Sequence, residues 1–364
     1  MVRGRRQEKI LLGTRKGLIV YAGGASGWRW QGDHFLGIPV SLATVDPRSG
    51  TWWALLDHGH WGCKLHRSSD EGENWEEVEA PKYPEGEWIK EGTPATLKYL
   101  WAFAAGGPAQ AGRIYIGTEP GGLFISDDNG DSFRLNRGLW DQPGRMERWF
   151  GGGRDNPGIH SIVVDPADPD HLYVGISVAG VFESTDAGVS WTPRNKGLRV
   201  DYLPDPNVEV GFDTHFLIAC PARPDRMWQQ NHCGIYRSDD AGASWNDVSQ
   251  DEGSVRFGFA IAVDELDGDV AWVVPAVKDE YRVAIDYGLK VCRTEDGGRS
   301  WRSFDKGLPD AACYDLVYRH ALDVRGDTLV FGSTTGNAFI SENRGDSWHC
   351  LGNHLPPIYS CRFA

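Results

Sequence analysis

Six copies of one acidic turn, a glycine- and tryptophan-rich composition and the lack of any long amphipathic helical stretch predict an all-β chain folded as a seven-bladed propeller. The turn reads Ser/Thr-x-Asp-x-Gly-x-x-Trp and occurs in full at Ser68-Asp70-Gly72-Trp75, Ser184-Asp186-Gly188-Trp191 and Ser238-Asp240-Gly242-Trp245. Thr294-Asp296-Gly298-Trp301 uses Thr for Ser, Ser126-Asp128-Gly130-Phe133 uses Phe for Trp, and Ser341-Asn343-Gly345-Trp348 uses Asn for Asp. Successive copies start 58, 58, 54, 56 and 47 residues apart, a period that suits a four-stranded unit. The 46 glycines and 16 tryptophans fit short strands joined by tight turns.

The strands around each turn repeat as well. A strand such as "RIYIGT" or "HLYVGIS" is followed by a Gly-containing loop, then "GLFIS" or "GVFES", then the acidic turn and a fourth strand such as "SWTPRN". An inner strand precedes each set, as in "SLATVDP" and "SIVVDPADP". Second strands begin near Lys9, Thr51, Arg113, His171, Arg226, Val270 and Thr328, which gives seven blades in one domain over residues 1–364. The N-terminal "KILLGTRKGLIVYAGGASGWRW" holds strands two to four only, and the C-terminal "IYSCRF" is expected to supply the missing inner strand. That closure ties the chain ends together and removes open sheet edges.

The turn itself reads as a fastener. An Asp side chain can accept hydrogen bonds from the backbone of its own turn. Gly takes a conformation that a Cβ forbids, and Trp packs on the hairpin or between blades. Equivalent rim turns do not converge on one point, as catalysis requires. The spacing resembles the Asp-box, or bacterial neuraminidase repeat (BNR), over nearly the whole chain. Related propellers include sialidases, xyloglucan-cleaving glycosidases, sortilin-type receptors and a photosystem II assembly factor. The resemblance implies the fold and leaves function open. Sialidases carry an Arg-Ile-Pro whose Arg binds the sugar carboxylate; "FLGIP" here has Gly37 in its place, so sialidase activity is not expected. Xyloglucanase-type enzymes set their acids in a cleft between two propellers, and this chain holds one.

Composition removes other classes. A formal charge of −14 repels phosphate backbones and anionic lipid, so neither nucleic acid nor membrane is an expected partner. No apolar run approaches the length of a membrane span, and the basic start "MVRGRR" lacks the apolar stretch of a secretory signal. The seven cysteines show no CxxC pair and read as reduced thiols of a cytoplasmic protein.

The candidate site comes from where unusual residues gather. Long insertions at 79–95, 134–158, 194–213 and 277–288 all fall on the face away from the acidic turns, where function usually sits. Seven of the eleven histidines, His34, His58, His60, His160, His215, His232 and His354, fall in or beside that face, whereas His66, His171, His320 and His349 are assigned to strands or the turn side. His160 stands five residues before Asp165 and His215 five before Cys220, which places both imidazoles at one height on adjacent inner strands. His232 approaches them from a second strand, and "DHGHWG" adds His58 and His60 from across the channel. Converging imidazoles with a carboxylate form a ligand set for zinc, iron, manganese or copper. Propellers with histidines at the channel mouth resemble, in architecture alone, carotenoid-cleaving oxygenases and metal-assisted polysaccharide lyases.

Arg15 in "GTRKG" and Glu119 in "GTEPGG" end two second strands and, with Tyr281 of the blade-six insertion, are the candidate catalytic groups. The stretch "RWFGGGRDNPGIH" reads as a hinged cover over the mouth, with Trp149, Phe150, Arg154 and Asn156 facing ligand and Trp61 as a further binding aromatic. No helix and no Gly-Lys-Ser/Thr follow its glycines, so no nucleotide cofactor is expected. The leading expectation is a metal-dependent hydrolase, lyase or oxygenase acting on a small-molecule or carbohydrate ligand. The alternatives are a glycoside hydrolase or polysaccharide lyase-type carbohydrate-active enzyme, and a non-catalytic binding or assembly propeller.

Overall fold

The computed structural model describes residues 8–25, 27–250 and 255–364. The basic start of the chain lies outside them. Seven antiparallel sheets of four main strands follow one another, each running from an inner to an outer strand. Blade two, for example, consists of Val40–Val45, Trp52–Asp57, Cys63–Ser68 and Glu76–Val78. Blade one takes its inner strand from the other end of the chain, where Ile358–Phe363 pairs antiparallel with Lys9–Thr14, Leu12 opposite Cys361. The protein is therefore an all-β, seven-bladed propeller closed as the sequence predicts.

Apolar clusters span neighbouring blades rather than filling a single centre; one joins Trp53, Leu55 and Leu65 of blade two to Leu100, Ile114 and Ile116 of blade three. The alternation of each strand therefore serves two interfaces, one to each neighbour. Two one-turn helices, Arg137–Trp140 and Arg145–Arg148, interrupt the 134–158 insertion, which the strand-only reading did not anticipate. Asn136 starts the first by accepting from the Leu139 N–H at 2.9 Å. Among the described residues no helix is long and apolar enough to cross a membrane, and the seven cysteines are all free.

The acidic turns show why their spacing is fixed. In blade four, Ser184 Oγ donates to Asp186 and accepts from the Gly188 N–H, both at 2.8 Å. Asp186 in turn accepts from the Ser190 N–H at 2.9 Å and from the Ser190 hydroxyl at 2.6 Å. Ala187 and Gly188 sit at φ of 60° and 86°, two left-handed steps that only a residue without a Cβ takes freely at the second. Where Asn343 replaces Asp, its Oδ1 still accepts from the Ser347 N–H at 3.0 Å, so the turn needs an acceptor rather than a charge. The turn tryptophans act between blades: Trp191, Trp245 and Trp301 donate Nε1 to Asn136 Oδ1, the Arg194 carbonyl and the Val248 carbonyl of the preceding blade at 3.0, 2.8 and 2.9 Å. None of the six turns reaches the cavity described next.

Candidate functional site

One irregularity recurs in the inner strands and builds the site. The ladder between inner and second strands slips at the same step in six blades, leaving one or two residues unpaired: Tyr359, Ser41, Trp101, His160, His215, and Phe259 with Ala260. Such a bulge re-aims a side chain out of the pleat. Blade seven lacks the slip, but Arg319 and His320 precede its inner strand Leu322–Arg325. All of these except His160 and Ala260 line an axial cavity of about 470 Å³. Three insertions roof it, through Gly151–Arg154, Tyr202, and Asp279 with Arg282. The fourth insertion, 79–95, instead folds outward as a small hairpin, Trp88–Lys90 with Thr93–Pro94, anchored by Arg145 donating to the Trp88 carbonyl at 2.7 Å.

Asp213, His215 and His232 converge at the blade-five end of this cavity, with ligand atoms within 4.8 Å of one another. Local geometry dictates the meeting. Asp213 and His215 are two apart, on one side of an extended chain. Thr214 pairs with Asn231, so Asp213 and His232 face each other one step beyond the ladder, joined by a 2.9 Å bond from the His232 N–H to the Asp213 carbonyl. Asp213 Oδ2 lies 3.4 Å from His215 Nε2 and 3.6 Å from His232 Nδ1.

The His215 tautomer follows from its other nitrogen. Nδ1 lies 2.7 Å from the Gly258 carbonyl, which can only accept, so Nδ1 carries a proton. The ring stacks on Phe259 with centroids 4.5 Å apart and is almost wholly buried. Burial holds His215 below its ordinary pKa against the pull of Asp213. Burial alone would raise the Asp213 carboxyl, but the two imidazoles and Arg319 hold it well below the carboxylate range. The contact with Asp213 raises His232 against the effect of burial. Asp213 Oδ1 is buried with no hydrogen-bond partner.

His160 occupies the matching bulge in blade four but turns away from the cavity. It is fully buried, edge-on to Trp101 at 5.6 Å, with Nδ1 2.9 Å from Ser161 Oγ and Nε2 unpartnered. Burial, with Arg319 and His320 nearby, keeps it well below its ordinary pKa. His320, assigned to the turn side from sequence, instead lines the cavity and bonds the His160 carbonyl through Nε2 at 2.7 Å.

Other expected site residues fall elsewhere. His58 caps the one-turn helix Gly59–Trp61 and His60 lies within it, outside the cavity lining, and Trp61 is 70% exposed there. They do not join the His215 group. Arg15 is exposed beyond the lining, and Tyr281 lies 61% exposed under the Lys278 ammonium. Trp149 is a core residue: the helix Arg145–Arg148 turns it inward onto Phe182, with centroids 5.3 Å apart. Glu119 is buried and tied down by Arg154 and by the Asn156 N–H and Nδ2 at 3.3 and 3.2 Å. Both its oxygens are occupied, so Glu119 and Asn156 hold the glycine loop in place. Arg154 does line the cavity, stacked 4.1 Å over Tyr99.

The sequence reading missed Asp213, Arg319 and the aromatic walls. The signals were present: "DTH" puts an acid two residues before His215, and aligning "IYS", "VSL", "LWA", "IHS", "THF" and "GFA" marks the bulge in every inner strand but one.

Fold and cavity together define a single propeller with an axial pocket of mixed aromatic, acidic and imidazole character. No protein-family model matches the chain. It is 26% identical over 221 residues to an oligoxyloglucan-reducing end-specific xyloglucanase of Emericella nidulans, covering 57% of this chain and 26% of that protein. It is 22% identical over 291 residues to a xyloglucanase of a Paenibacillus species, covering 69% of this chain and 26% of that protein. The chain thus spans about a quarter of the length of these curated relatives. Among solved structures, an ancestral GH74 enzyme superposes with a TM-score of 0.58 at 15% identity, covering 98% of this chain and 40% of that one. YCF48 from Cyanidioschyzon merolae gives 0.56 at 14% identity, covering 91% and 87%. Likeness at these identities is one of fold.

Proposed function

We propose that the protein is a carbohydrate-active enzyme of the hydrolase or lyase type, working in the axial cavity at a divalent transition metal held by Asp213, His215 and His232. The turn geometry also leads us to place it among the Asp-box propellers. The xyloglucanase relatives support the carbohydrate part of this reading. So does the cavity, whose volume suits a ligand of one or two sugar units and whose Tyr99, Trp101 and Phe259 rings suit the apolar faces of sugars.

The observation that carries the metal is the convergence of one carboxylate and two imidazoles, whose ligand atoms lie within 4.8 Å of one another. Asp213 Oδ2 and His215 Nε2 are 3.4 Å apart. Two donors on a tetrahedral metal at about 2.1 Å each lie roughly 3.4 Å apart, which matches. Imidazole and carboxylate donors suit zinc, iron, manganese or copper, and the Gly258 carbonyl orients His215 as outer hydrogen bonds orient metal-bound imidazoles. Such a metal supplies Lewis acidity or an activated water. The chain's own residues bind and exclude: Arg154 and the glycine loop cover the ligand, and the aromatic walls orient it.

Elemental analysis of protein purified without a His-tag tests the metal. The expected result is close to one transition metal per chain, lost in Asp213→Ala and His215→Ala while His58→Ala retains it. Trace metal in the unaltered protein, unchanged in those variants, would remove the metal from the proposal. Saturation-transfer NMR with mono- and disaccharides tests the carbohydrate part separately.

A further inference from the structure

Resting on that reading of the cavity as the ligand site, we infer that Arg319 is the receptor for a carboxylate on the ligand, which makes the preferred substrate an acidic sugar of the uronate type. Three guanidinium groups line the cavity, and they are not equivalent. Arg154 is paired with Glu119 and Arg282 with Asp279. Arg319 makes no ion pair and no side-chain hydrogen bond among the described residues, and its Nε is buried without a partner.

Its surroundings fix it without satisfying it. The guanidinium lies 5.2 Å from the Trp101 ring centroid and 5.4 Å from that of Phe259, so two aromatic walls set its place while its N–H groups remain available to the cavity. Burial pushes Arg319 down to about 10, which leaves it charged at neutral pH. A buried guanidinium whose N–H groups lack hydrogen-bond partners is costly unless a partner arrives. Asp213 attracts it through space but gives it no hydrogen bond.

The Arg154 and Arg282 pairs cancel internally, and no lysine lines the cavity. The unpartnered N–H groups of Arg319 form a planar fork that matches a carboxylate. A carboxylate seated on Arg319 holds the rest of a sugar ring against Trp101 and Phe259, within reach of the blade-five group.

Titrations monitored by tryptophan fluorescence test this at pH 7.5, on protein as purified and after chelation. The probes are acetate, glucuronate and glucose. Unaltered protein should bind acetate saturably and glucuronate at least tenfold more tightly than glucose. Arg319→Gln should weaken acetate and glucuronate at least tenfold and leave glucose unchanged. Arg319→Lys, which keeps the charge and loses the fork, should fall between them, and it serves alone if Arg319→Gln does not fold. No saturable acetate binding, or acetate affinity untouched by the variants, would overturn the assignment. If acetate binds through Arg319 but neither sugar does, the carboxylate receptor stands and the carbohydrate reading falls.

Discussion

Replacing Ser184 by Ala isolates the fastening role of the acidic turn from the chemistry of the cavity. Ser184 is 1% exposed, and its hydroxyl is the one group that accepts from the buried Gly188 N–H. Removing it strands that donor, which costs about 1–3 kcal/mol. The turn survives, because Asp186 keeps both bonds from Ser190, at 2.9 and 2.6 Å. Nor does Trp191 lose its partner, since Nε1 donates to Asn136. A loss of about 2 kcal/mol in a chain of this length lowers the melting temperature by roughly 2–4 °C. Differential scanning fluorimetry reads the shift, and the acetate titration run in parallel reads the cavity. The expected result is a lower melting temperature with unchanged affinity. An unchanged melting temperature would show that the hydroxyl is not a needed acceptor. A folded variant that no longer binds acetate would show that turn and cavity are not separate, and the division of the propeller into a fastening rim and a reactive centre would fail.

Acid should destabilise the protein through His320, whose folded pKa burial pushes down to about 3. Between that value and the ordinary value near 6.5 only the unfolded state takes the proton, so stability falls as pH drops through this window, by about 1.4 kcal/mol per pH unit. His320→Gln should therefore show a shallower loss of melting temperature between pH 7 and pH 5, and an equal slope would refute the burial argument. Glu119→Ala should free the glycine loop, seen as faster hydrogen exchange and tryptic cleavage at Arg154, with blade three's other strands unaffected; unchanged exchange would mean that the Arg154 and Asn156 contacts do not hold the loop. His58→Ala and His60→Ala should leave metal content and ligand affinity as they were, because neither side chain lines the cavity.

Much of the propeller could be read from residues because each blade repeats the same local solution. Ser, Asp and Gly at fixed offsets close one turn by hydrogen bonds within five residues, and Trp reports the blade-to-blade contact. The site was less legible because it depends on where separate strands slip. His160 and His215 share a bulge, as their common spacing to Asp165 and Cys220 implied, yet only His215 meets the cavity. Their neighbours decide this: His215 is pinned by the Gly258 carbonyl and Phe259, whereas His160 lies edge-on to Trp101. Trp149 misled for a similar reason, since loop membership says nothing of the one-turn helix that swings it into the core. Arg319 stood in no long insertion and carried no motif; only the aromatic cage around it makes it conspicuous.

The slipped ladders explain how a fold made of equivalent blades acquires an asymmetric centre. One unpaired step per inner strand costs little hydrogen bonding, and it frees a position on the channel from the alternation that packing imposes on every other residue. Those positions hold Tyr, Ser, Trp, His, His and Phe in blade order, so the ring carries different chemistry on each side while the strands around it keep their repeat. The acids and bases collect at blade five because Asp213 and His232 extend the two strands that bear its bulge. Arg319 stands in front of blade seven, where the bulge is absent and the chain enters its inner strand from a turn, and it shares the Phe259 ring with His215. A ligand seated beside Phe259 would meet the proposed metal ligands and the guanidinium together, and its orientation would follow from which strands slip and which does not.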